Sequence, residues 1–361
     1  MIDLISVIRE KRVNMAKKNE INVTIKIIAQ QLGISFSTVA KALNNDPVVK
    51  EETRKRVKDK AAELGYLPNI IARGLRSKST KTIGIILNDI ENPTRTHIVK
   101  QVSIDLAKNG FTTLIFDSQY DLEIEKNNML SALSRMPDAI IISPVSIKSN
   151  NLQLLKNMFD RTIILSRSFD SIPANYVHMD HKRGGFISAT TMLEFGHTLN
   201  LVLNDPKDAP SGIQFIEGVK QAYKEKGISF NDNYVFSFFP SIENSTNLII
   251  SLFDFSSHSF KLPFTGIISS YDILACGVYQ AASKIGLIIP DDISVLGYDD
   301  IPIARLLTPP LSTIHMPSEE IASRCSEILI AKLVNNDMTL KQFSLKPHLV
   351  LRDSIKRINP H

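Results

Sequence analysis

Val23-Thr-Ile-Lys-Ile-Ile-Ala-Gln-Gln-Leu-Gly-Ile-Ser-Phe-Ser-Thr-Val-Ala-Lys-Ala-Leu-Asn44 carries two short helical patterns on either side of one glycine. In the first, Ile28, Ala29 and Leu32 recur at helical spacing and share a buried side, and Thr24 stands where an N-cap belongs. Ala29 is small where a second helix must cross closely. Gly33 supplies the bend, because glycine takes positive φ without steric cost. Ser35 then caps a second helix whose Val39 and Leu43 face inward. Its opposite face presents Phe36, Ser37, Thr38 and Lys41, the early-helix positions through which a helix-turn-helix meets base edges in a major groove. On this spacing alone, a helical hairpin with a solvated polar face explains the pattern about as well.

The surroundings of this stretch narrow the choice. The chain has 361 residues, which at roughly 100–200 per domain makes two or three compact units. Hydrophobic residues are 43% and charged residues 22%, close to globular averages, so a core can be buried and wholesale disorder is excluded. Residues 1–81 hold 17 Lys and Arg against 8 Asp and Glu, a charge of +9, whereas the remainder holds 25 against 29, a charge of −4. A basic head on a mildly acidic body favours a polyanionic partner. Cys276 and Cys325, with no CxxC, make neither a disulfide framework nor a zinc ribbon, which fits a cytoplasmic chain. Asp3 interrupts the first apolar stretch and Arg9, Lys11 and Arg12 follow it, the reverse of a secretory signal. No apolar run is long enough to predict a membrane span.

From residue 82 the pattern changes to short β-branched runs between amphipathic stretches. Strands are predicted at 82–87, 111–116, 139–142, 162–165, 176–179, 199–203, 234–238, 265–268 and 293–296. Continuous apolar strands alternating with helices imply parallel sheets covered on both faces, hence doubly wound α/β. Nine strands exceed the usual sheet, so two lobes are expected, with a ligand cleft at the carboxyl ends of their strands. No GxGxxG follows any of these strands, which leaves a dinucleotide enzyme unsupported. His178, Asp180 and His181 suggest a metal, but strand alternation over 176–179 sets His178 and Asp180 on one side and His181 on the other. No metal, cofactor or catalytic set is predicted.

Residues 23–79 closely resemble the headpiece and hinge of the LacI/GalR family of bacterial transcription regulators. The resemblance rests on the opening stretch followed by Val48-Val-Lys-Glu-Glu-Thr-Arg-Lys-Arg-Val57, Ala61-Ala-Glu-Leu-Gly-Tyr-Leu-Pro-Asn69 and Ile71-Ala-Arg-Gly-Leu-Arg-Ser-Lys-Ser79. It implies base-reading roles for Phe36, Ser37 and Lys41, and phosphate contacts for Thr24, Ser35, Thr38, Asn44 and Tyr66. It makes Leu75, flanked by Arg73 and Arg76, the minor-groove wedge of a hinge helix. Gly74 weakens that helix, so residues 69–77 are expected to fold only on operator DNA. The implied divisions are an extension at 1–22, a helix-turn-helix domain at 23–68, a hinge at 69–81 and an effector-binding, dimerising core at 82–361. The extension is either a phosphate-contacting arm or, if Met15 is the start, partly an artefact of the reading frame's first methionine.

The resemblance continues through Asn92-Pro93, Ser270-Tyr-Asp-Ile-Leu-Ala-Cys-Gly277, Ile289-Pro-Asp-Asp-Ile-Ser-Val-Leu-Gly-Tyr-Asp-Asp300 and Pro309-Pro-Leu-Ser-Thr-Ile314 as a periplasmic-binding-protein-like core. It implies an N-lobe at about 82–178 and 314–342 and a C-lobe at about 179–313 and 343–361. Asp299 and Asp272 match effector positions, with backbone-serving turn residues as the competing reading. Arg95, after Asn92-Pro93, is a further cleft candidate. Where many relatives carry a clamping Arg this chain has Phe215, which suits an apolar sugar face better than a carboxylate or phosphate. The expected protein is a homodimeric repressor, not an enzyme, with operator DNA and a small effector, sugar-like by the resemblance, as partners. The alternatives are a degenerate pocket or a non-sugar or protein effector.

Overall fold

The computed structural model describes residues 23–66, 79–166 and 172–358. They belong to two compact units that divide between Lys78 and Ser79. The predicted extension at 1–22, and with it Arg73, Leu75 and Arg76 of the hinge, lie outside the described residues.

The head contains α1 (Ile25–Leu32), α2 (Phe36–Leu43) and α3 (Glu51–Glu63). Gly33 adopts φ +65° and terminates α1, as its lack of a Cβ permits. Ile28, Ala29, Val39, Ala42, Val49, Val57 and Ala61 form the core, with Leu32, Leu43, Leu64 and Tyr66 packed against it. So small a core needs bracing, and Arg54 supplies it by donating to the carbonyls of Asp46 (3.1 Å) and Val49 (2.9 Å) and pairing with Glu51.

The second unit has two parallel-sheet lobes. The N-lobe comprises β1 (Thr82–Leu87), α4 (Pro93–Ala107), β2 (Thr112–Asp117), α5 (Leu122–Leu133), β3 (Ala139–Ile142), a 3-10 segment (Asn151–Arg161), β4 (Thr162–Ile164) and β5 (Asn175–Met179). The chain then builds α6 (His181–Glu194), β6 (Asn200–Asn204), α7 (Pro210–Glu225), β7 (Val235–Ser237) and α8 (Ile242–Ser251) of the C-lobe. A short hairpin, β8 (Phe253–Asp254) with β9 (Ser259–Phe260), precedes β10 (Gly266–Ser269), α9 (Asp272–Ile285), β11 (Ser294–Asp299) and β12 (Ser312–His315). It returns to the N-lobe for α10 (Ser318–Leu333) and β13 (Gln342–Leu345) and ends in the C-lobe with β14 (His348–Val350). Strand orders are β13-β5-β4-β3-β1-β2 and β14-β12-β11-β10-β6-β7, parallel throughout except for the β12–β14 pair.

Alternation along the strands explains the two-faced burial. Ile83, Ile85 and Leu87 join α4 and α10 in one cluster, while Ile86, Ile140 and Ile142 join α5 and the 3-10 segment in another. The C-lobe repeats this arrangement, with Leu201, Ile267 and Val295 against α8 and α9, and Val202, Ile268 and Leu296 against α6 and α7. The doubly wound architecture is therefore as the sequence predicts, but two lobe boundaries move. Leu296 pairs with Ser312 and Tyr298 with Ile314, which keeps 312–315 in the C-lobe sheet; Gln342 pairs with Tyr176, which keeps 342–345 in the N-lobe sheet. The crossings thus fall near residues 180, 316 and 346, not at 313 and 342. Strands β12, β13 and β14 and the β8–β9 hairpin went unpredicted because they are short and flanked by prolines or polar residues.

Candidate nucleic-acid interface and ligand cavity

The second helix of the head is set by its cap. Ser35 Oγ accepts from the Thr38 amide at 3.0 Å and lies 2.8 Å from the Thr38 hydroxyl. Phe36, Ser37 and Lys41 are all exposed along α2, with Phe36 at 42% although it is a large apolar residue. Asn44 caps the far end of α2, and Tyr66 is half-buried against the core. One expectation fails in its detail: Thr24 occupies the N-cap of α1, yet its side chain makes no capping bond, and its carbonyl receives the Ile27 amide at 3.0 Å instead.

The core holds a cavity of about 60 Å³, opening to solvent, between the carboxyl ends of the two sheets. Arg95, on the first turn of α4, is its central cation. The Asn92 side chain caps that turn by accepting from the amides of Thr94 (2.9 Å) and Arg95 (3.1 Å). The guanidinium donates to Asn88 and, at 2.6 Å, to Ser143 on its own lobe, and at 3.2 Å to the Tyr271 hydroxyl on the other. Tyr271 donates onward to Asp205 at 2.9 Å, which also accepts from Ser211 at 2.6 Å. A single polar relay therefore ties the lobes together across the cleft. Lys148 with Asp208 (2.7 Å) and Tyr120 edge-on to Phe239 (5.2 Å) add further contacts between the lobes.

Asp299 also lines the cavity. It sits at φ 116° and is followed by Asp300 at φ 59°, so two successive non-glycine residues hold left-handed backbone. Asp300 is anchored by Arg352 at 2.6 Å and by His315 Nδ1 at 3.0 Å, which holds the strained turn in place. Burial, with Asp272 adding repulsion and Arg95 opposing, pushes the Asp299 carboxyl well above the usual carboxylate range.

His178 and His181 both line this cavity, contrary to the strand-alternation argument. The reason is local: α6 begins at His181, so strand alternation stops at Met179. His178 Nδ1 donates to the Met179 carbonyl at 3.0 Å, and His181 Nδ1 meets the Tyr298 hydroxyl at 2.9 Å. Burial, with Arg95 and His178 nearby, brings His181 down to about 3, so its ring is neutral near pH 7. Among the described residues no cluster of three or more side chains suited to a metal occurs.

Two expected effector residues are corrected. Phe215 is 1% exposed, packs edge-on against Tyr298 at 5.4 Å, and does not line the cavity. It belongs to the α7 face that meets α6, where the apolar pattern of the helix drives it inward. Asp272 is fully buried: its carboxylate accepts from the Ile301 amide (2.9 Å) and the Thr313 hydroxyl (2.6 Å), the backbone-serving role. Its neighbour Tyr271 is the cavity residue instead. Asn88, Ser143 and Tyr271 were missed, although each closely follows an apolar strand at its carboxyl end, where such folds gather ligand groups; Ser211, on the first turn of α7, was missed as well.

A helix-turn-helix head and a two-lobed α/β core with a polar-lined cavity between its lobes define a DNA-binding regulator with a sensor domain. Comparison with known proteins is specific to that class. Residues 24–69 match the profile of bacterial regulatory proteins of the lacI family, and residues 189–355 match the periplasmic binding protein-like domain. The chain belongs to the LacI/GalR family of bacterial transcription regulators. It is 27% identical over 333 residues to the HTH-type transcriptional repressor PurR of Aliivibrio fischeri (strain MJ11), covering 92% of this chain and 98% of that one. It is 28% identical over 334 residues to the ribose operon repressor of Haemophilus influenzae, with 92% and 98% covered. The Lac repressor dimer bound to operator and the anti-inducer ONPF shares the fold at a TM-score of 0.76 and 21% identity, over 92% of this chain and 99% of that one. These relatives are transcriptional repressors, and the chain stands with them rather than with an enzyme class. No helix among the described residues is long and apolar enough to cross a membrane.

Proposed function

We propose that this chain is a homodimeric, cytoplasmic repressor whose operator affinity is set by a small molecule held between its lobes. In this reading Phe36, Ser37 and Lys41 meet base edges, and Thr24, Ser35, Thr38, Asn44 and Tyr66 meet phosphates. Arg73 and Arg76 neutralise phosphates beside the wedge Leu75, and Arg95 and Asp299 hold the effector. The carrying observation is the Arg95–Tyr271–Asp205 relay, which places groups of both lobes on one wall of one cavity. A ligand touching that wall shifts the lobe equilibrium only by the difference in its contacts to the two lobe arrangements. Coupled through the hinge, that difference becomes a change in operator affinity.

The test is a gel shift of the full chain on operator fragments selected from random duplex, repeated across a salt series. Specific binding with a steep negative log–log slope is expected, because each neutralised phosphate releases counterions. Leu75→Ala should weaken specific binding and leave the melting temperature nearly unchanged. Equal affinity for selected and random duplex would overturn the reading. Arg95 also favours a second reading, in which the cleft is held by the chain's own guanidinium and responds weakly to any small molecule.

A further inference from the structure

The lining of the cavity is divided. Ile98, Leu165, Val177, Met316 and Ile321 contribute to one side of it, and all five are also members of, or packed against, the N-lobe cluster beneath α4 and α10. The cavity thus cuts into the edge of the N-lobe core, and Leu165 and Met316 are its half-exposed lip. Polar groups gather elsewhere in the lining: Asn88, Arg95, Ser143, His181, Tyr271 and Asp299. The Asn88 side-chain carbonyl already accepts from Arg95 and Ser143, and the Asp299 carboxyl has the Asn92 side chain beside it. Arg95, the arginine of the lining, already donates to Asn88, Ser143 and Tyr271.

We infer that the effector is a neutral amphiphile: a hydroxyl- or amide-bearing head read by Asn88, His181 and Asp299, carrying an aliphatic or aromatic substituent that lies on the Leu165–Met316 lip. The inference rests on the cavity being the effector site. A ligand with hydroxyls on every side would leave those facing the aliphatic wall without partners, and a buried polar group without a hydrogen bond is disfavoured. A fully anionic ligand would find the Arg95 guanidinium already bonded to Asn88, Ser143 and Tyr271. Leu165 and Met316 are the half-exposed apolar residues of this side, and an apolar substituent gains by covering them in proportion to the area it buries. Phe215 offers no stacking surface for a bare sugar ring, since it faces the core.

The experiment titrates the full chain with 1-propanol, 1-butanol, 1-pentanol, 1-hexanol and benzyl alcohol, and with glycerol and D-ribose as wholly polar comparators, by calorimetry. Affinity is expected to rise about fourfold per added methylene along the alcohol series, the increment of one buried CH2, and to exceed that of both comparators. Met316→Gln and Leu165→Gln, substitutions at half-exposed positions whose folding is checked by the melting temperature, should flatten that series. Affinity that stays level along the series, or that climbs equally in both variants, overturns the inference. If ribose binds and the alcohols do not, the cavity remains the effector site but the amphiphile is wrong. If neither class binds while the operator is still recognised, both the amphiphile and the cleft-effector reading fall.

Discussion

At the level of single residues, position relative to a strand end or helix start decided which side chains reach a site. Lys41 lies exposed on α2, and in the proposed reading its flexible ammonium is a point charge for a guanine edge. Lys41→Ala is expected to cost about 1–3 kcal/mol of specific binding, visible as a loss of affinity for the selected operator that exceeds the loss for random duplex. Asp272 gives a second, thermodynamic outcome. Burial pushes its carboxyl up to about 7, above its value in the unfolded chain, so the folded state keeps the proton that the unfolded state loses. Its contribution is complete below about pH 4 and is lost as pH rises towards and through 7. Urea denaturation at pH 5 and pH 8 should therefore show the wild type losing stability relative to Asp272→Asn, by about 2–3 kcal/mol. Asp272 and Tyr271 are adjacent in sequence, yet one braces β11 and β12 while the other joins Arg95; nothing in residue type distinguishes those fates.

At the level of elements, the sharpest constraint is the crossing of α6 and α7. A Cβ on Gly218 would stand 1.8 Å from the Lys182 carbonyl oxygen, and one on Gly185 would stand 2.0 Å from that of Phe215. Backbone meets backbone there, so neither side can yield by changing a rotamer. Gly218→Ala is expected to reach or exceed the upper end of the 1–3 kcal/mol typical of overpacking, read as a lower melting temperature of the core. Gly33→Ala in the head should be milder, about 1 kcal/mol, since open space surrounds that position and only its φ of +65° resists a side chain. The helices of the head and most strands were legible from period and β-branching. The α6–α7 crossing was not, because Gly185 and Gly218 announce close approach only once their partner is known.

At the level of the whole molecule, function depends on coupling the two lobes of the core. The relay from Arg95 through Tyr271 to Asp205 passes through one hydroxyl. Tyr271→Phe removes it, and the half-paired guanidinium and buried carboxylate left behind should cost about 1–3 kcal/mol. Faster amide exchange in the 205–211 and 271–273 segments, with the head's own melting unaffected, is the expected signature. Unchanged exchange there would show that Lys148–Asp208 and Tyr120–Phe239 hold the cleft without it. Such exposed pairs are ordinarily worth at most about 1 kcal/mol.

The sequence by itself determined the head, the α/β class of the core and the family. Each of these rests on local period, capping residues and motif order, and those are properties of neighbours along the chain. Which residues face the cavity was decided by tertiary structure alone. Helix α6 starts one residue after the Asp180 cap and turns His181 towards His178, the packing of α7 on α6 draws Phe215 inward, and strand pairing at 312–315 and 342–345 sets the lobe boundaries. Each of these depends on contacts between segments far apart in the chain, whose geometry no single stretch encodes.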